Sequence, residues 1–237
     1  MMTHTGTVLA AAIVLGATCA AVNLAAGRVP VVPSGQAPIV ESFLRAGDPD
    51  AVRAVAMRDM QVATLGGKLR ASLTARTTID ADGRFTFEVL RSEGSDLLLN
   101  RVLVAALEAE QQSREPGESG KAALSPGNYA FRVAGHADGG LVEVRLTPLR
   151  ASRMLVSGRI LVHDVTGDLV QVDGQLSQTP SWWTTRVEIL RRYAQVGGAR
   201  VPVEMSSRAT VRVAGSATFS MAYRYVSING RAVEPEP

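Results

Sequence analysis

Val201-Pro-Val-Glu-Met-Ser-Ser-Arg-Ala-Thr-Val-Arg-Val213 decides the fold class. Val201, Val203, Met205, Ala209, Val211 and Val213 fall on one side of an extended chain, and Glu204, Ser206, Arg208, Thr210 and Arg212 on the other. Side chains alternate across a strand, so this segment needs one covered face and one wet face. Pro202 lodges inside the run and has no N–H for a ladder, which predicts an edge position or a bulge there.

The same pattern spreads outward on both sides. Downstream, Ala217 to Ile228 reads as a closing strand, and upstream Trp183 to Tyr193 reads as another. Met154 to Val162 and Leu169 to Leu176 flank Thr166-Gly167, while Tyr129 to Val133 and Leu141 to Leu146 flank Gly135 to Gly140, so both pairs are predicted antiparallel hairpins. Ala51 to Ile79 reads as two strands broken at Gly66-Gly67, and the turn Asp80-Ala-Asp-Gly83 leads into the alternating run Arg84 to Val89. Between these strand regions lies Leu97 to Gln112. There Leu99, Val102, Leu103, Ala106 and Leu107 recur at helical spacing, which predicts the one long helix. Residues 38–46 predict a short helix opened by Pro38 and stopped by Gly47.

About ten strands with one long helix make the fold class α+β, mostly antiparallel β. The expected architecture is a strongly curved, incomplete barrel wrapped around that helix, with an N-terminal apolar leader helix; a fully closed barrel is the alternative. The chain has 237 residues, 46% apolar and 20% charged, enough for one domain with a sizeable core. The predicted boundaries are a signal peptide or anchor over 1–26, a Pro-rich spacer over 27–37 and a single domain over 38–237.

Val8 to Ala26 is apolar apart from Thr18 and Asn23, and the first 26 residues carry no Lys, Arg, Asp or Glu. An export signal fits this stretch, with Ala20, Ala25 and Ala26 near a cleavage point; an uncleaved inner-membrane anchor is the alternative, since the stretch nearly reaches the roughly 20 residues that span a bilayer. Either way the folded part is expected outside the cytoplasm, in the periplasm or an equivalent space, and membrane contact through 8–26 requires that the segment is kept. Cys19 is the sole cysteine and lies in that stretch, so the domain is expected to hold no disulfide or Cys-based metal site.

A net charge of +3 is too small to single out a polyanionic partner, and nucleic acid is not expected. All but two of the 25 Lys and Arg residues are arginine, scattered in a way that reads as outward strand positions, although Arg also clamps phosphate or carboxylate bidentately. No P-loop, G-x-G-x-x-G, G-x-S-x-G or H-E-x-x-H is present. His163 beside Asp164 is the one place for an oriented base, yet neighbouring strand residues point to opposite faces, so the two side chains are not expected to meet. Asp80, Asp82, Asp138, Asp164 and Asp168 lie at turns, where Asp bonds to its own backbone. The chain is therefore expected to be no enzyme and to use neither cofactor nor metal. Trp182 and Trp183 adjoin at the start of a strand, which sends one inward and leaves the other as a candidate interaction residue.

One ordered set of features resembles a known family. It comprises a Gly-led strand Gly158 to Val162, a Gly turn and strand Gly167 to Val172, Pro180-Ser181-x-Trp183, Tyr193 with Gly197, Val201-Pro202 and a closing strand Tyr223 to Ile228. Upstream stand Glu93-Gly94-Ser95, Leu107-Glu-Ala-Glu110 and Asn128-Tyr129-x-Phe131. Over roughly residues 50 to 230 the chain resembles the LolA-like superfamily of periplasmic lipoprotein carriers and outer-membrane lipoprotein-sorting relatives. The resemblance implies an open half-barrel with an apolar concavity that holds acyl chains, in a superfamily whose carriers usually have more than one helix.

Two functions follow. The first is an exported, non-enzymatic binding protein that sequesters a lipid or lipoprotein acyl chain, with cavity candidates Phe85, Phe87, Val89, Val142, Val144, Leu146, Val187, Ile189, Phe219, Met221 and Tyr223. Each buried CH₂ contributes about 0.8 kcal/mol, so a long chain needs no polar contact. The second is a membrane-anchored envelope interaction or sensor module with a fully packed sheet, binding another envelope protein through its edge or the Trp182-Trp183 loop. A void of several hundred Å³ between sheet and helix suits the first; tight packing suits the second.

Overall fold

Alternation builds the sheet as expected. The computed structural model describes residues 37–46, 53–115, 120–182, 184–212 and 215–234; the expected leader, and the spacer up to residue 36, lie outside them. β1 (Ala54–Thr64) and β2 (Leu69–Ile79) bury every second side chain over most of their length. Their connection passes through Leu65, Gly66 and Gly67 at φ of 54, 65 and 85°, a left-handed run that Gly tolerates and that ends both strands where the sequence predicted. β3 (Phe85–Gly94) follows the Asp80 turn, in which Asp80 Oδ1 accepts from the amides of Asp82 and Arg84 at 3.0 and 2.9 Å.

The remaining strands are β4 (Tyr129–Ala137), β5 (Leu141–Pro148), β6 (Val156–His163), β7 (Leu169–Leu176), β8 (Thr184–Val196), β9 (Ala199–Val211), β10 (Gly215–Ile228) and the short β11 (Arg231–Ala232). They form one antiparallel sheet in the order β3-β2-β1-β10-β9-β8-β7-β6-β5-β4, with β11 beside β10. β1 sits against β10 from Ala54 opposite Ile228 to Thr64 opposite Ala217, which joins the two ends of the described chain at mid-sheet. β3 and β4 end the sheet without pairing to each other, so it stays open rather than closing as a barrel.

Three differences from the sequence expectation have physical reasons. β4 continues to Ala137 because a register shift between Val133 and Gly135 absorbs residues predicted as a turn. β3 continues to Gly94, through a second shift opposite Thr74 and Ala75. β11 has two residues, too few for any periodicity. Pro202 sits at a bulge: Tyr193 opposes it across the shift after Arg192, and the β9–β10 ladder ends at Glu204. Its carbonyl instead accepts the Tyr225 hydroxyl at 2.8 Å, so the missing N–H removes no bond of that ladder.

Two helices cover the inner face. α1 (Pro38–Ala46) runs with Glu41 in its first turn and Arg45 in its last, paired at 3.0 Å, and buries Val40, Phe43 and Leu44. Phe43 lies 5.9 Å from Phe131 of β4, and Gly167 admits the helix closely, since a Cβ there would sit 2.7 Å from the Phe43 nitrogen. α2 (Asp96–Ser113) lies on β1, β2 and β3 and is uneven: Asp96–Leu98 and Ala105–Ser113 are α-helical, and Leu99–Val104 between them forms wider π turns. Leu98, Val102, Leu103, Ala106 and Leu107 of α2 join the strands' inner side chains and those of α1 in one core.

Candidate functional site

The inner face carries charge that the scattered-arginine reading passed over. Arg58 stands in the buried phase of β1, between Ala56 and Met60, and its guanidinium grips Glu110 of α2 with both nitrogens. Nη1 donates to Oε2 at 2.5 Å and Nη2 to Oε1 at 3.1 Å, while Nε donates to Thr77 Oγ1 at 3.1 Å. The Phe85 and Tyr223 rings lie on it, each centroid 4.8 Å from Cζ. Arg114 adds a contact to Glu110 Oε1 at 3.3 Å, and Arg191 of β8, also buried, lies near enough to act on the carboxylate.

These charges set each other's ionisation. Burial alone raises the Glu110 carboxyl, but the Arg58 guanidinium, helped by Arg114 and Arg191, outweighs it and holds the group down at about 2. Burial pulls Arg58 the other way, and Glu110 more than restores it, so its pKa rises. The pair is thus a fully ionised clamp between α2 and the sheet. A signal for it exists in the sequence: Arg58 and Arg191 occupy apolar-phase strand positions, and Glu110 follows Leu103, Ala106 and Leu107 at helical spacing. Charged residues on an apolar phase are buried only when paired.

The cavity candidates divide. Phe85, Val142, Val144, Leu146, Val187, Ile189, Phe219, Met221 and Tyr223 all lie in the inner-face core, and Phe87 packs on its margin. Val89 does not join them; it is 41% exposed midway along β3, an edge strand, beside Leu90. The core members are packed against protein side chains, with Phe85, Met60, Leu103, Leu107, Met205 and Phe219 almost wholly enclosed. Trp182 is 67% exposed on the loop before β8, and Trp183 lies outside the described residues.

A hollow of about 1160 Å³ is found instead on the sheet's outer face. It crosses from Glu93 and Gly94 of β3 to Ser157 of β6, and its exposed and half-buried walls include Gln61, Ser72, Ser206 and Ser220, the phase opposite the core. A twisted sheet is saddle-shaped, so each face is hollow along one diagonal. Between the outer rows runs one row in which Gly94, Ala71, Val62, Phe219, Ser207, Ile189, Gly174 and Gly158 oppose one another in turn, buried from Ala71 to Ile189. Glycine is required at the β6–β7 end: a Cβ on Gly158 would lie 2.1 Å from the Asp173 carbonyl oxygen, and one on Gly174 2.4 Å from that of Ser157.

His163 and Asp164 do approach, Nδ1 to Oδ1 at 3.7 Å, contrary to the expectation from strand alternation, because β6 ends at His163 and Asp164 already belongs to the turn. Both are substantially exposed. Asp168 is held by Thr166 at 2.8 Å and by the largely buried Arg200 at 3.5 Å, a turn-stabilising role. Among the described residues, no three His, Cys, Asp or Glu side chains gather to hold a metal, and no helix is long and apolar enough to cross a membrane.

No family model matches this sequence, and no curated protein does. Among solved structures it is similar to a DUF1329 family protein from Desulfovibrio piger, at 12% identity and a TM-score of 0.42 over 78% of this chain and 87% of that one. It is also similar to a LolA superfamily protein from Nitrosomonas europaea, at 11% identity and a TM-score of 0.37 over 84% of this chain and 93% of that one. The described residues form an open antiparallel sheet with a helix laid across its apolar side.

Proposed function

We propose that this protein is an exported, non-enzymatic carrier of lipid or lipoprotein acyl chains, seen here with its lid shut. One observation carries the reading: α2 lies across the apolar face of a sheet that does not close, and a buried charged clamp, Arg58 to Glu110, joins it there. The π turns at Leu99–Val104 break the helix into two α segments, a form suited to peeling.

Magnitudes decide which guest suits this lid. Uncovering Leu98, Val102, Leu103 and Leu107 costs about 1.5–3 kcal/mol each, or about 6–12 kcal/mol together. Separating the clamp adds about 3–5 kcal/mol if either charge stays buried. One chain of about 16 carbons returns about 13 kcal/mol, which roughly balances, whereas two chains return about twice that and clear the cost. The favoured guest is therefore a two-chain lipid or a lipoprotein anchor rather than a short fatty acid.

Native mass spectrometry after incubation with diacyl phospholipid vesicles, and separately with octanoate, tests this. The expected result is protein with bound diacyl lipid and faster amide exchange over residues 96–113, and no octanoate complex. A lipid-free protein with unchanged exchange overturns it.

The tight inner packing favours a second reading, an anchored envelope module whose sheet never opens and whose exposed Trp182 loop meets a protein partner. Intact mass separates the two: a chain retaining residues 1–26 supports the module, and a start near Ala26 or Gly27 supports the mobile carrier.

A further inference from the structure

We propose that the hollow on the outer face binds a neutral, hydroxyl-bearing linear polymer, a glycan strand laid across the β-strands. This site is separate from the helix-covered face and stands whether or not the lid opens.

The register sets out the argument. Ser72 of β2 opposes Gln61 of β1, Gln61 opposes Ser220 of β10, and Ser220 opposes Ser206 of β9. Four uncharged hydrogen-bonding side chains thus stand in line on adjacent strands, about 4.8 Å apart. Among the described residues none of the four spends its side chain on a protein partner. They line a hollow of about 1160 Å³ that reaches from β3 to β6. Seven interstrand steps at that spacing make a path of roughly 34 Å, long for a small molecule and suited to a chain.

Charge selects against the other polymers. The hollow holds three arginines, Arg70, Arg186 and Arg208, and three carboxylates, Glu93, Asp173 and Glu188. Each carboxylate is already paired: Glu188 with Arg186 at 2.9 Å, Asp173 with Arg159 at 3.0 Å, and Glu93 with Arg91. The lining residues carry three charges of each sign, so the hollow has no net charge of its own to attract a polyanion. A polypeptide gains affinity at a sheet by adding a strand to an edge, and mid-face the backbone groups are used in the ladders. An acyl chain gains nothing from a hydroxyl row, which it would desolvate. Neutral sugars match instead, offering a donor and an acceptor at each hydroxyl.

Calorimetric titration of the full chain with cellohexaose and with chitohexaose tests the proposal, with an anionic heparin hexasaccharide and a Gly/Ser peptide as competitors. The expected result is saturable binding of at least one neutral hexasaccharide, weakened roughly tenfold by Ser220→Trp, which fills the hollow, and roughly fivefold by Gln61→Ala, which removes one hydrogen-bonding side chain. Both residues are exposed, and an unchanged melting temperature establishes that the variants fold; where Ser220→Trp melts lower, Gln61→Ala alone decides. Absence of saturable heat up to millimolar sugar, wild-type affinity in the folded variants, or tighter binding of the anionic sugar or the peptide each overturns it.

Discussion

The two faces of the same strands make opposite use of charge. On the inner face one bidentate pair, Arg58 with Glu110, is shut away from water between aromatic rings and bridges sheet to helix. On the outer face Arg159 reaches Glu143 at 2.8 Å and Asp173 at 3.0 Å, in a half-exposed network on three neighbouring strands. Geometry is similar and consequence is not. A buried charge that loses its partner stays desolvated, whereas a surface charge is rehydrated, so the inner pair decides whether α2 stays docked and the outer network decides little.

The hardest test of this contrast removes one inner partner. Arg58→Ala is expected to destabilise the protein by about 3–5 kcal/mol in chemical denaturation, and Arg58→Met with Glu110→Leu together to recover most of it, because an apolar pair leaves no orphan charge. The same clamp gives acid sensitivity. The folded Glu110 pKa lies below its ordinary 4.5, so its contribution is complete above pH 4.5 and is lost as pH falls toward about 2. Glu110→Gln is expected to flatten that part of the stability profile; an unchanged slope would show that other carboxylates cause it.

Next in size is the packing contrast. Leu103→Ala, under the helix, is expected to cost about 2–5 kcal/mol, and Leu190→Ala, half-buried on the outer face, well under half as much, both read as shifts in denaturation midpoint. Equal losses would mean that the outer face is packed as a core. Gly174→Ala is expected to cost about 1–3 kcal/mol by forcing β6 and β7 apart, while Gly139→Ala, with open space around it, should lose only its left-handed turn preference. The smallest effect belongs to Arg159→Ala, at about 1 kcal/mol or less and falling further in high salt.

Much of this fold is legible along the chain. The breaks at Gly66-Gly67 and Asp80–Gly83, the helix over 97–112 and the alternation of 205–211 follow from side-chain period and turn chemistry, both of which act over a few residues, whereas over 201–204 the bulge at Pro202 interrupts the expected alternation. What failed also failed locally. Asp164 meets His163 because the strand stops one residue earlier than alternation assumes, and β4 overruns its turn through a bulge. Val89 shares the alternation of Phe85 and Phe87 but not their burial, since burial on an edge strand depends on what distant parts of the chain lie against it.

By itself the sequence determined an antiparallel sheet with one greasy and one wet face, and a helix with a stripe to match, because those depend on periods of 2 and 3.6 residues. Tertiary structure alone decided that Arg58 reaches Glu110 across 52 positions, that the inner surface is filled by the protein's own side chains, and that the open hollow lies on the opposite face. Those outcomes depend on the twist accumulated over many strands and on which distant segments meet, and neither quantity is carried by any short stretch of chain.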